Sequence, residues 1–291
     1  MNFPQLDKTT IVNIKKSIDS TFREFAGTWG ETFTEALSPI HWFLIYLEKF
    51  LLATPWYIFL IVASLLIYKI SKSYKLVLGF VLSFCSIGLL GMWDDTMRTL
   101  SIVTVATTLC IVVGVPVGVL MYYRNKAQTI ITPILDLMQT IPSFVYLIPV
   151  VMLFGLGKVP GLISIVVFAI PPVIRFTNLG LREVDPGLKE TADAFGFRWW
   201  QKLLTIELPL ARPTIFGGIN QTVMMSLSMV IIASMIGVRG LGSQVMNAVG
   251  NGYLGLGVIS GLSIVAIAII IDRTIQAYSN RKDWRQNDRR S

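Results

Sequence analysis

Residues 181–212 read LREVDPGLKETADAFGFRWWQKLLTIELPLAR. Pro186 and Gly187 open a segment in which Leu188, Thr191, Ala192 and Phe195 recur near helical spacing, which predicts a short amphipathic helix. Gly196 interrupts it, and a second short helix through Trp199, Leu203 and Ile206 is expected to end at Pro209. The glycine is expected to supply a tight turn or a close backbone approach. Two short helices joined at a glycine make a compact plug for a groove on a partner. The stretch lies between two apolar runs, 161–180 and 215–238, each long enough to cross a bilayer. It is the longest hydrophilic stretch within a membrane-embedded region.

Composition agrees. Of 291 residues, 53% are hydrophobic and only 14% charged, and the mean hydropathy is +0.64, whereas a soluble domain carries about 25% charge. The expected fold class is an all-α polytopic membrane protein with about seven transmembrane helices, at 51–70, 76–93, 99–123, 130–156, 161–180, 215–238 and 254–277. The fourth contains Pro133, Pro142 and Pro149 with Asp136 and Gln139, so it is expected to be kinked or broken and to line a cavity.

Before these spans, Ile11, Ile14, Ile18, Phe22 and Phe25 form the apolar stripe of an amphipathic helix near 11–25. The cluster Trp42–Leu47 is too brief to span, and no signal-peptide pattern opens the chain. The organisation expected is a tail or membrane-surface region over 1–50, peripheral spans over 51–93, a core over 94–278 containing segment 181–212, and a basic tail over 279–291.

Lysine and arginine set the orientation. The segments 69–75, 124–126 and 175–212 and the C-terminal region hold seventeen basic residues; the N-terminal region and the opposite turns hold eight. The positive-inside rule then places the N-terminus outside and segment 181–212 and the C-terminus in the cytoplasm. In a lipid-embedded chain the net charge of +8 is loop charge that fixes orientation, and nucleic acid is not an expected partner.

Several chemistries are excluded by what is missing. His41 is the only histidine and Cys85 and Cys110 the only cysteines, which rules out a multi-histidine metal site, a histidine triad and a disulfide framework. No Gly-x4-Gly-Lys-Ser/Thr occurs; Gly157–Lys158 is followed by Val159, so nothing here cradles nucleotide phosphates. With no Ser/Lys dyad or paired carboxylates at matched depth, an intramembrane enzyme is disfavoured.

The spacing E-x-A-x3-G-x9-I-x-L-P, carried by Glu190, Ala192, Gly196, Ile206, Leu208 and Pro209, resembles the EAA loop of ABC-importer permeases, with Thr191 in place of the middle alanine. Three further blocks, QTIPSFVYLIPVVMLFGLGKVPG (139–161), FAIPPVIRFTNLGL (168–181) and NQTVMMSLSMVIIASMIGVRGLG (220–242), are similar to the permease subunit of glycine betaine/proline importers. The resemblance covers about residues 95–275.

That resemblance implies a type I ABC-importer permease fold. It implies two copies of the permease, two cytoplasmic ABC ATPase subunits, and an external substrate-binding protein in a bacterial plasma membrane. This chain would carry no cofactor, ATP and Mg belonging to the ATPase. It implies an ATPase-coupling role for Glu190, Thr191, Ala192, Gly196, Ile206, Leu208 and Pro209. The expected solute is glycine betaine or a related small methylated zwitterion, with an amino acid or methionine as the alternative.

Candidate residues of the substrate path are Asp136, Phe144, Tyr146, Met225 and Ser228, alongside Met224, Met229 and Met235. Aromatic faces and soft thioethers attract quaternary ammonium groups. A carboxylate inside a span requires a polar partner or water, so Asp136 lines the path, pairs with Arg175, or caps the helix segment after Pro133. Asp272 is expected to pair with the adjacent Arg273 near the interface. Gly114–Gly118 and Gly257–Gly261 have the spacing of close helix contacts.

Overall fold

The computed structural model describes residues 7–287, with side chains placed through Ser279; the basic tail residues Arg281, Lys282, Arg285, Arg289 and Arg290 lie outside the described side chains. Every regular element among the described residues is helical. Helix α1 spans Lys8–Ala53, α2 Trp56–Ser71, α3 Tyr74–Leu89, α4 Trp93–Tyr123 and α5 Asn125–Thr140. A 3-10 turn at Ser143–Tyr146 leads into α6, Leu147–Phe154. Then come α7 (Lys158–Arg182), α8 (Pro186–Ala194) and α9 (Trp199–Lys202), a π turn at Leu203–Glu207, and α10 (Leu208–Ala233). After a 3-10 turn at Ser234–Ile236, α11 (Leu241–Asn251) and α12 (Leu254–Asn287) complete the chain.

The centre of the molecule is α7 held between α4 and α10, and glycine makes that possible. A Cβ on Gly118 would stand 2.6 Å from Thr177 Cβ and 2.7 Å from the Ile174 carbonyl oxygen, and one on Gly218 would stand 2.5 Å from Phe176 Cβ. Only a residue without a side chain permits backbones this close, the usual route to helix contact in lipid. The Gly114–Gly118 motif is thus used within the chain. The second motif is used far less: Gly257 has only Ala248 Cβ at 3.4 Å, and nothing lies within 4 Å of Gly261.

Five described helices are long and apolar enough to cross a membrane, or six if the bent pair α5/α6 counts as one span. The structure differs here from the seven spans expected. Helices α2 and α3 fall where the first two were placed, but each has 16 residues, about 24 Å of helix against about 30 Å of hydrocarbon. The fourth expected span folds back by 109° between α5 and the segment Ser143–Phe154. Pro142 is the cause. It biases Ile141 to extended backbone, and Ile141 has φ −66° and ψ 128°.

At the N-terminus a single helix of 46 residues replaces the separate stripe and cluster. The stripe from Ile11 to Phe25 continues through Trp29, Phe33, Leu37, Ile40 and Leu44 at the same spacings of three and four, so the helix has one face throughout. Its C-terminal part packs on α4 and α6, with Leu44 buried, and Gly30 lies against the Leu153 carbonyl. The Lys158 ammonium reaches both carboxylate oxygens of Glu48, at 2.8 and 2.7 Å, tying α1 to the start of α7.

Candidate functional site

The 181–212 stretch folds as two short helices, and local chemistry explains both ends of the first. Asp185 caps α8 by accepting a hydrogen bond from the Gly187 amide at 2.8 Å, and Pro186 occupies the first helical position, where no donor is needed. At the other end Gly196 has φ +73°. Its amide donates to the Asp193 carbonyl at 3.0 Å and the Phe197 amide donates to the Ala192 carbonyl at 3.1 Å, the pair of bonds that closes a helix on a left-handed residue. No atom lies within 4 Å of the place a Cβ would take. Within the chain Gly196 therefore serves as the turn expected of it.

Among the residues assigned to coupling, Glu190 and Thr191 are exposed on α8, while Ala192 is buried against the π turn. Thr191 Oγ donates back to the Gly187 carbonyl at 2.7 Å. Ile206 and Pro209 are half-buried and, with Thr191, Ala192, Leu188 and Phe195, line a groove of about 350 Å³. Leu208 is half-buried and faces the cluster of Leu181, Val184 and Ala211. The outer edge is aromatic: Phe195 is 78% exposed and Trp199 64%. The Lys202 ammonium binds the Asp193 carboxylate at 2.7 and 2.9 Å, which locks α9 onto α8.

Beneath this surface lies a residue that spacing gave no reason to single out. Glu207 is completely buried. The Tyr122 hydroxyl donates to its Oε1 at 2.9 Å and the Tyr123 hydroxyl to its Oε2 at 2.6 Å. A buried carboxylate persists only when its oxygens are satisfied in this way. Lys189, on α8, donates to the Leu181 carbonyl at 2.9 Å and places its ammonium 5.0 Å from the Tyr122 ring centroid. Burial pulls the Lys189 pKa below the usual lysine value, opposed by the nearby Glu207 charge. The end of α4 and the π turn thus meet at one carboxylate, and Lys189 joins α8 to the end of α7 beside it. π turns are concentrated at functional sites. Two features of the sequence could have found it: adjacent tyrosines ending a span, and a glutamate set between Ile206 and Leu208.

The path candidates lie on the opposite, membrane-embedded part of the chain. Asp136, on α5, is ion-paired with Arg175 on α7. Both remain accessible, the side chain of Asp136 by 57% and that of Arg175 by 36%. Phe144 is exposed in the 3-10 turn. Tyr146 donates its hydroxyl to the Met138 carbonyl across the bend and packs its ring 6.1 Å from Phe168. Ser228 is exposed on α10 and donates to the Met224 carbonyl at 3.1 Å. Met225 and Met224 are half-buried, Met229 belongs to the core, and Met235 is exposed. Asp272 is engaged chiefly by Asn220, at 2.6 Å, and Gln276, at 2.7 Å, with Arg273 at 3.9 Å.

At the far end of the core the segments 155–161 and 236–242 interlock. The Gly157 amide donates to the Ile236 carbonyl at 2.8 Å, and a Cβ on Gly161 would strike Val238 Cγ2 at 2.0 Å. The Leu241 amide donates to Thr99 Oγ at 2.9 Å and Gln244 to Asp95 at 2.7 Å, joining α11 to the start of α4.

Comparison with known proteins places this architecture. Residues 110–283 match the family described as "Binding-protein-dependent transport system inner membrane component". The chain is 44% identical over 232 residues to the glycine betaine/carnitine transport permease protein GbuB of Listeria monocytogenes, covering 79% of this chain and 82% of that protein. It is 43% identical over 251 residues to the glycine betaine/proline betaine transport system permease protein ProW of Escherichia coli, covering 86% and 71%. It is 46% identical over 207 residues to the glycine betaine transport system permease protein OpuAB of Bacillus subtilis, covering 71% and 73%. Among solved structures, an inward-facing form of the MetNI methionine ABC transporter matches with a TM-score of 0.55 at 22% identity, over 65% of this chain and 93% of that one. That likeness is one of fold, the type I ABC-importer permease. The chain is a multi-pass transport subunit, not an enzyme, and it belongs to the family of binding-protein-dependent transport system inner membrane components.

Proposed function

We propose that this chain is the membrane-spanning subunit of an ATP-driven importer of glycine betaine or a related small methylated zwitterion. The observation that carries the substrate class is the identity of 43–46%, over 71–86% of the chain, to three permeases named for glycine betaine transport. The fold likeness to a methionine transporter, at 22–23% identity, does not favour methionine.

In this reading two copies of the chain enclose the solute path, and each docks a cytoplasmic ATPase subunit through α8, Gly196 and α9. ATP and Mg²⁺ are held by that ATPase. The exposed Phe195 and Trp199 supply apolar anchors, and the Asp193–Lys202 bridge keeps the two short helices as one piece. An external binding protein delivers the solute to the opposite end, where 155–161 and 236–242 interlock. The 181–212 segment lies inside, the side that the excess of basic residues favours, and α1, although long and apolar enough to cross, lies outside with the N-terminus. A solute without net charge suits spans whose described charges are few.

The test is reconstitution of the permease with its ATPase and binding protein in vesicles, followed by uptake of labelled glycine betaine, methionine and a polar amino acid. ATP-dependent uptake of glycine betaine is expected. Uptake of methionine or the polar amino acid with glycine betaine inert would overturn the substrate assignment.

A further inference from the structure

The only described ion pair that joins two membrane-embedded helices in the path region is Asp136 with Arg175. Arg175 stands seven residues before the end of α7 and Asp136 eleven after the start of α5, about 10 and 16 Å along their helices. Both stand inside segments apolar enough to enter a membrane, α5 as half of the bent pair. A carboxylate with 57% of its side chain open cannot face lipid, where ionised groups turn to the bundle interior or to a water-filled cavity. The face that carries the pair accordingly fronts water or the second copy of the chain.

The pairing is also incomplete. One terminal nitrogen of Arg175 binds one oxygen of Asp136, while Arg175 Nε is buried with no hydrogen-bond partner. A guanidinium presents a fork of donors matched to the two oxygens of a carboxylate, and here half of a fork is idle. An orphaned buried donor of this kind is costly, so the guanidinium gains from a rearrangement that gives it a second acceptor.

We propose that Arg175 and Asp136 form a transient intramembrane station for the transported zwitterion. The solute's carboxylate takes the exposed terminal nitrogens of Arg175, the guanidinium turning as Asp136 lets go, and its quaternary ammonium takes Asp136. One neutral ion pair is exchanged for two, so no unpaired charge is created at membrane depth at any stage. A cation or an anion alone would strand one of the two residues, which makes the station selective for net-neutral dipolar solutes. This rests on the zwitterion reading above and adds where the solute pauses within the permease.

The experiment uses the reconstituted complex with wild type, Arg175→Gln, Asp136→Asn and the double variant, measuring glycine betaine uptake and ATP hydrolysis stimulated by the binding protein. Each single variant is expected to lower uptake per ATP about tenfold or more, the factor set by one charge-assisted hydrogen bond. The double variant decides the matter. A bridge with only a structural role is replaceable by a neutral pair at little cost, so recovery of wild-type uptake in the double variant would overturn the station. Uptake that stays low while stimulated hydrolysis and thermal stability match wild type supports it. Failure of the wild type itself to import glycine betaine would instead overturn the substrate reading, and the station with it.

Discussion

Replacing Gly196 by alanine separates backbone geometry from steric room at the turn between α8 and α9, where the ATPase is proposed to dock. The residue sits at φ +73° with nothing within 4 Å of a Cβ, so an added methyl meets no neighbour within the chain. The remaining cost is the left-handed conformation itself, about 1–2 kcal/mol for a residue with a side chain. If docking requires the closed turn, with the Phe197 amide on Ala192 and the Gly196 amide on Asp193, that cost appears in full as weaker ATPase binding, about 5- to 30-fold in Kd. Asparagine adopts this conformation more readily and is expected to lose less. Purified permease in nanodiscs, titrated with its ATPase subunit, gives the affinities, and thermal unfolding of the same samples checks that the spans are intact. Wild-type affinity for the alanine variant would refute the reasoning. So would asparagine binding more weakly than alanine, since size rather than backbone angle would then be limiting.

Three other outcomes follow from the same structure. Glu207→Leu strands the Tyr122 and Tyr123 hydroxyls and is expected to cost about 2–4 kcal/mol, whereas Glu207→Gln, which can accept from one and donate to the other, is expected to cost about 1 kcal/mol; thermal unfolding with and without bound ATPase measures both. Gly118→Val drives a side chain into Thr177 and the Ile174 carbonyl and is expected to abolish monodisperse elution in size-exclusion chromatography, while Gly79→Val, with nothing within 4 Å, elutes as wild type. In a background without Cys85 and Cys110, single cysteines at Ser20 and Ser279 are expected to react with an impermeant maleimide from opposite sides of the membrane, and labelling of both from outside would overturn the cytoplasmic placement of the end of α12.

The 181–212 stretch was legible because its signals are local. Asp185 and Pro186 start a helix and Gly196 stops it through bonds that reach no further than five residues. Glu207 was illegible for the opposite reason. Its partners are 84 and 85 residues away, and a glutamate among apolar residues at a membrane boundary reads as a solvated charge. Proline at 142 announced a break but not its 109°, an angle set by how α6 packs on α7. The length of α1 was present in the stripe itself, which runs on past Phe25 in the same register. For Asp136 the partner was one of several open choices, and for Asp272 the adjacent arginine was the obvious choice, yet the carboxylate turned to Asn220 on another helix.

The glycine contacts along α7 have a mechanical consequence. Side chains between helices act as a compressible layer that allows sliding, and between α4, α7 and α10 that layer is missing at Gly118 and Gly218. Three helices in backbone contact tilt together as a stiff beam. Helix α4 runs 31 residues, about 46 Å, from Thr99 and its bond to α11 near one end to Tyr122 and Tyr123 on Glu207 at the other. A tilt of about 10° around its middle carries the two ends about 4 Å in opposite directions. A displacement imposed at Glu207 would thereby reach the Thr99 end of α4, inverted, with no moving part in between.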